Sequence, residues 1–202
     1  VVDSIKDSNG KEIYKHQSQP VQVFSKATSS IMAELLKGPI KSQKTTTFYG
    51  QLSNLNPTLA GADWVGKTGT SNDFVDVWLM VGTPTVTLSS WVGHDNNTPM
   101  AAMTGYNNNS QYLAQMANSI YQANPGVFGV EQRFSLDPSV TKSTVLVSTG
   151  EKPGAFTGGS YTNFTLSGPT TTSYWAKPEG APTTHYKFAI GGRYSYYSNA
   201  WT

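Results

Sequence analysis

The sequence of 202 residues has no cysteine, only two arginines (Arg133 and Arg193), and a charged fraction of just 13%. Without cysteine there is no disulfide framework, no thiolate zinc site and no cysteine nucleophile. Twelve of the fourteen cations are lysines spread along the chain, and the net charge is +2. A nucleic-acid surface needs clustered basic residues, so none is expected. No apolar run approaches the roughly 20 residues that span a bilayer, and no membrane segment is expected in this chain. Histidine is scarce as well. His16, His94 and His185 stand far apart with no ligand spacing, so neither a metal nor a cofactor is expected. The chain opens on Val1-Val2-Asp3 with no signal sequence and reads as a piece of something longer.

Periodicity suggests an α+β chain. Val1, Val2 and Ile5 lead into Asp7-Ser8-Asn9-Gly10, a turn signal predicting a hairpin with a return strand over 12–16. Ser25 is a plausible N-cap for a helix of about twelve residues, with Ile31, Met32, Leu35 and Leu36 at helical spacing and Gly38-Pro39 as its stop. Residues 41–63 read as polar loop. From Trp64 to Asp95, β-branched and aromatic runs broken at Gly82-Thr83-Pro84 predict three adjacent antiparallel strands. Leu113, Met116, Ala117 and Ile120 predict a helix over 108–123, stopped by Asn124-Pro125-Gly126. Beyond it, 16 of the 42 residues 135–176 are Ser or Thr, interleaved with aromatics such as Phe156, Tyr161, Phe164, Tyr174 and Trp175. Disordered tails are poor in aromatics, so a small β-rich module is expected. The division is placed between 1–125 and 126–202.

The stretch Gly61-Ala62-Asp63-Trp64-Val65-Gly66-Lys67-Thr68-Gly69-Thr70-Ser71 carries the chemistry. Gly61 to Thr68 fits the P-loop pattern, which needs a buried strand before it and a helix after it to cradle phosphate. Upstream lies polar sequence and downstream a β-rich run, so a nucleotide site is not expected. On a strand, Lys67 and Gly69 share one face and Thr68 and Thr70 the other. Two hydroxyls and a nearby ammonium would suit a carboxylate, with charge-assisted hydrogen bonds of about 1.5–3 kcal/mol each.

Lys67-Thr68-Gly69-Thr70, followed by Asp76, Trp78-Leu79, Thr83-Pro84, Trp91-Val92-Gly93 and Asp95-Asn96, resembles the third motif of the class A penicillin-binding proteins and the sequence after it. The resemblance covers roughly residues 1–123. It departs at Leu79, Val81 and His94, which are packing changes. It implies the C-terminal half of a penicillin-binding transpeptidase domain, with the fold of that family and the serine β-lactamases. Lys67 and Thr70 are then the catalytic candidates, Lys67 supporting a proton relay and the Thr70 N–H serving as an oxyanion donor. Thr68, Gly69, Thr70 and Asn72 are the substrate-binding candidates, Gly69 leaving the cleft unobstructed. Asn72 reads equally well as a rim residue or a solvated turn residue. Asp76 is expected to make structural hydrogen bonds at a strand end rather than to join Asp73 and Asp95 in a carboxylate site.

The family's nucleophile lies in Ser-x-x-Lys at the start of a buried helix. Ser8–Lys11 falls in the hairpin turn, Ser139–Lys142 follows the motif with no helical stripe, and Ser-x-Asn does not occur. The nucleophile is therefore expected on an upstream segment, the first partner of this chain. The resemblance implies peptidoglycan stem peptides ending in D-Ala-D-Ala as substrates and β-lactam antibiotics as inhibitors. It also implies a parent with a glycosyltransferase domain and an anchor, working at the extracellular face of the bacterial membrane. Two alternatives stay open: a D,D-carboxypeptidase using the same motifs, and a non-catalytic cell-wall-binding module built on the aromatics of 127–202.

Overall fold

A computed structural model describes residues 2–17, 19–41, 46–101, 104–156, 164–178, 181, 194–195 and 200–201. The chain begins with a two-stranded hairpin, β1 (Ser4–Lys6) and β2 (Glu12–Lys15), with Ser4 opposite Lys15. Its turn differs from the expected one. Only Gly10 is left-handed (φ 81°), and the Asp7 carboxylate accepts the N–H groups of Asn9 and Lys11 at 2.9 Å. A single left-handed glycine braced by an Asx-type turn replaces a pair of positive-φ residues.

Helix α1 (Lys26–Lys41) starts where expected, with the Ser25 hydroxyl accepting Thr28 N–H at 3.1 Å as an N-cap. It runs through Gly38-Pro39 instead of stopping there. Ile40, fully buried in the core, holds that last turn in place. The expected apolar stripe is also only half used: Leu36 is half-buried, whereas Met32 and Leu35 are exposed.

Residues 41–63 overturn the loop expectation. Two short helices, α2 (Phe48–Leu55) and α3 (Pro57–Ala60), deliver Phe48, Leu52 and Leu59 to the core. Asn56 separates them. Its side chain accepts Leu59 N–H at 3.0 Å as the cap of α3, and Pro57 follows at the first helical position. Phe48, Leu52, Leu55 and Leu59 carried the helical spacing in the sequence, masked by the intervening polar residues.

The three expected strands are present: β3 (Val65–Thr70), β4 (Asp76–Gly82) and β5 (Thr87–Gly93), antiparallel in that spatial order. Helix α4 (Thr104–Ala123) covers one face, beginning four residues before the expected start. Leu113, Ala114 and Ala117 from α4 meet Leu79 and Val81 from β4 in one buried cluster. Asn109 is buried in this interface. It donates to the Val77 carbonyl at 3.0 Å and accepts the Ser90 hydroxyl, so one amide ties the helix to β4 and β5. Trp64, 1% exposed, lies at the centre, edge-on to Phe48 with centroids 5.1 Å apart and 5.7 Å from Phe128.

After α4 the chain straps back over the same body. Phe128 joins the core, Phe134 N–H donates to Asp63 Oδ2 at 2.9 Å, and Asp137 N–H donates to the Ser30 hydroxyl at 3.0 Å. Asp63 is 5% exposed and also meets Lys37 at 3.1 Å. Burial depresses the Lys37 pKa, but bonds to Glu34 and Asp63 outweigh it and leave it above the usual lysine value. Four longer or shorter strands follow: β6 (Thr141–Leu146), β7 (Gly154–Phe156), β8 (Phe164–Leu166) and β9 (Thr170–Trp175). They pair β6 with β9 and β7 with β8, all antiparallel, and a short pair β10 (Tyr194–Ser195) and β11 (Ala200–Trp201) ends the described chain. The architecture is α+β, a helix-flanked antiparallel sheet followed by a β-rich stretch. Tyr161 lies outside the described residues, as do the side chains of Phe156 and Phe164.

Candidate active site

Strand β3 is positioned from its N-terminal side. Trp64, just before it, is locked by ring packing and by its Nε1–H donating to the Leu59 carbonyl at 2.9 Å. Gly66 comes next. A methyl group there would lie 2.3 Å from the Met80 carbonyl and 2.9 Å from Ile40 Cδ1, so only glycine lets α1 and β4 approach. Gly69 differs: a methyl would meet Trp78 Cβ at an ordinary 3.6 Å.

Among the described residues β3 pairs only with β4, so its other edge carries backbone groups that no described strand pairs. Which groups face outward follows from alternation. Ser71 N–H bonds inward to the Asp76 carbonyl at 3.0 Å, so the N–H and C=O of Thr70 and Thr68 point to the open edge. The Lys67 ammonium lies on that edge as well, donating to the Thr68 carbonyl at 2.9 Å and reaching the Thr68 hydroxyl at 3.4 Å. Among the described residues it has no carboxylate within 4.0 Å. An uncompensated cation, a hydroxyl and an outward N–H therefore gather along one unpaired strand. That set suits a carboxylate and a developing oxyanion.

Lys67 and Gly69 share a face with Met80 and Trp78, their register partners on β4. Thr68 and Thr70 share the opposite face, as alternation required. The first face is open. Trp78 is 47% and Met80 51% exposed, and Trp91, opposite Trp78 on β5, is exposed too. Beside α1 a groove of 410 Å³ runs along it, lined by Leu36, Val65, Lys67, Gly69, Trp78 and Met80 among others. Asn72 is not brought onto the strand. β3 ends at Thr70, and Asn72 opens an exposed 3-10 turn over Asn72–Phe74, so the alternation that would set it beside Thr70 stops short.

Asp76 makes the strand-end hydrogen bonds expected of it and one more that sequence did not suggest. Its Oδ2 accepts the Ser71 hydroxyl at 3.2 Å, and its Oδ1 accepts Trp91 Nε1–H at 2.9 Å. Nothing in a linear pattern pairs residues 71, 76 and 91. Buried Asn109 escaped notice for the same reason.

Neither Ser-x-x-Lys tetrad starts a helix. Ser8–Lys11 is the β1–β2 turn. Ser139 donates its hydroxyl (2.6 Å) and N–H (3.0 Å) to Asp137 Oδ1, which holds that carboxyl below its usual range. The P-loop pattern is likewise spent on a strand: Gly66, Lys67 and Thr68 lie within β3 and not at a helix N-terminus. His94 is exposed on the β5–α4 connection, the His16 ring meets the Tyr14 hydroxyl at 3.5 Å, and His185 lies outside the described residues.

No family model matches the chain. It is 34% identical over 97 residues to penicillin-binding protein 4 of Bacillus subtilis, covering 48% of this chain and 14% of that protein. It is 30% identical over 99 residues to penicillin-binding protein 1A of Clostridium tetani, covering 49% and 12%. The match to penicillin-binding protein 1A of Rickettsia prowazekii is longer and weaker, 27% over 141 residues. The chain thus spans about a seventh of the first of these relatives. In fold it is similar to penicillin-binding protein 1A of Haemophilus influenzae, with a TM-score of 0.56 and 15% identity over 92% of this chain and 30% of that one. Over about half its length the chain is thus similar in sequence to class A penicillin-binding proteins, and its fold is similar to that of one of them, consistent with a partial transpeptidase region.

Proposed function

We propose that the chain is the C-terminal half of a peptidoglycan D,D-transpeptidase. In this reading, residues 1–125 supply the Lys67–Thr70 strand and residues 126–202 form an appended β-rich unit, joined to the first through Phe128 and the strap to Asp137. The nucleophilic serine, its lysine and the Ser-x-Asn motif belong to an upstream segment of the same protein. That serine attacks the penultimate D-Ala carbonyl, terminal D-Ala leaves, and an amine from a neighbouring stem peptide resolves the acyl-enzyme. Thr68 and Thr70 hydroxyls with the Lys67 ammonium hold the terminal carboxylate, and the Thr70 N–H receives the oxyanion. β-Lactams acylate the same serine. The parent carries a glycosyltransferase domain and an anchor, and acts outside the cytoplasmic membrane.

One observation carries the reading: the Lys67 ammonium, the Thr68 hydroxyl and the outward Thr70 N–H lie together on the unpaired edge of β3. The open apolar face of Trp78, Met80 and Trp91 supports the upstream segment as its covering, since exposed apolar patches mark binding surfaces. The test is labelled penicillin on the isolated chain and on the chain reconstituted with its upstream half, followed by mass mapping. The expected label sits on an upstream serine in the reconstituted pair only, and Lys67→Ala slows its formation by about 100-fold or more. Covalent label on the isolated chain would place the nucleophile within these residues and overturn the reading.

A further inference from the structure

The turn after β3 is held in an unfavourable shape. Asp73 and Phe74 are consecutive non-glycine residues at φ 57° and 56°. Such conformations are unfavourable for residues with a side chain and persist only where the surroundings impose them. Here the surroundings are a clamp. Ser71 N–H donates to the Asp76 carbonyl at 3.0 Å, Asp76 N–H donates to the Ser71 hydroxyl at 2.8 Å, and that hydroxyl donates to Asp76 Oδ2 at 3.2 Å. The second carboxylate oxygen, Oδ1, accepts Trp91 Nε1–H at 2.9 Å from the next strand, β5. The Trp91 ring lies over Gly93, where a methyl would stand 2.5 Å from Cζ2. From the far side, Met100 N–H donates to the Phe74 carbonyl at 3.2 Å.

Ser71 is the residue after Thr70. One carboxylate therefore spans the end of β3, the start of β4 and the middle of β5, and the peptide it steadies is next to the N–H that faces the open edge. The geometry points to Asp76 as a positioning residue: acting through Ser71, and held in register by Trp91, it fixes the direction of the Thr70 N–H for acyl transfer. This rests on the transpeptidase reading, in which that N–H receives the oxyanion. The turn itself does not demand a charged residue; Ser71 and the backbone ladder already close it. A carboxylate is required because one group must accept two hydrogen bonds from opposite directions, one from a hydroxyl and one from an indole N–H.

The experiment compares wild type, Asp76→Asn, Ser71→Ala and Trp91→Phe in the reconstituted full-length protein. Stopped-flow acylation by a chromogenic β-lactam separates the dissociation constant from the acylation rate constant. Asn at 76 keeps an acceptor for Trp91 but loses the acceptor for the Ser71 hydroxyl. Its acylation rate constant is expected to fall about 10- to 100-fold, as misplacement of a catalytic group does, with the dissociation constant within about twofold. Ser71→Ala removes a single hydroxyl and should show the same split, and the double variant should be no slower than Asp76→Asn alone. Trp91→Phe should fall in the same direction by less. An unchanged acylation rate constant in Asp76→Asn and Ser71→Ala, with wild type active, overturns the positioning role and leaves the transpeptidase reading standing. Equal losses in binding and acylation would show a general loss of structure and overturn it too. Absence of acylation in the wild type would fail the transpeptidase reading itself, and this inference with it.

Discussion

The two faces of the β3–β4–β5 sheet are built from the same strands and have opposite properties. Over β4 and β5 one face presents Val77, Leu79 and Val81 to α4 and is sealed, with Ser90 and the facing Asn109 of α4 satisfied by each other and by β4, while at β3 it carries half-buried Thr68 and exposed Thr70. The other presents Lys67, Gly69, Trp78, Met80 and Trp91, and most of it is open. Strand alternation forces the separation: every second residue stabilises the body, and the remainder is free for another task. The difference shows where the stability of this chain resides, and which surface is left open.

The largest expected effect that would break the comparison comes from its two tryptophans. Trp64→Ala empties the centre of the core and should lower stability by about 3–5 kcal/mol. Trp78→Ala, on the open face, should change it by within about 0.5 kcal/mol. Urea unfolding of both variants checks this, and equal losses would mean that the open face is part of the core. The two glycines of β3 give a smaller contrast. Gly66→Ala drives a methyl into the Met80 carbonyl and Ile40, at a cost of about 2 kcal/mol, whereas Gly69→Ala has room beside Trp78 and should be near neutral. Thermal midpoints of the pair sharpen the distinction between glycine required by packing and glycine required only by what binds.

The smallest effect lies at the strap. Lys37 is raised above the usual lysine value of 10.5 by its bonds to Glu34 and Asp63, which overcome its burial. A raised folded-state value means that its contribution is fully present below the unfolded value and is lost as pH rises through the folded one. Stability should therefore fall above about pH 10.5 in wild type. Lys37→Met should lack that alkaline component and be weaker at neutral pH by about 1 kcal/mol, because Asp63 loses a hydrogen-bond partner. Denaturation midpoints at pH 8 to 11 would read it.

Local patterns gave the elements with strong local causes. Alternation and the break at Thr83-Pro84 led to three strands; Ser25 marked the start of α1 through its own hydroxyl, and Asn9-Gly10 marked a turn. Where the cause lay elsewhere in the chain, sequence reasoning misread it. Residues 41–63 looked like loop because α2 and α3 owe their helicity to burial of Phe48, Leu52 and Leu59, and short helices have little stability of their own. Gly38-Pro39 looked like a stop because nothing nearby reveals that Ile40 is seated against Gly66. At the site, the place of Lys67, Thr68, Gly69 and Thr70 on a strand was legible from alternation; for Asn72 the sequence left rim and solvated turn equally open, because strands end where tertiary hydrogen bonds turn them.

By itself the sequence determined that Lys67 to Thr70 would lie on a strand with lysine and threonines on opposite faces, since side-chain alternation is a property of the extended backbone alone. Only the tertiary structure decided that this strand is an edge among the described residues, that its outward groups are those of Thr68 and Thr70, and that Ser71, Asp76 and Trp91 brace its end. Edge, direction and brace all depend on which distant segments come to lie alongside β3, and non-local packing chooses them.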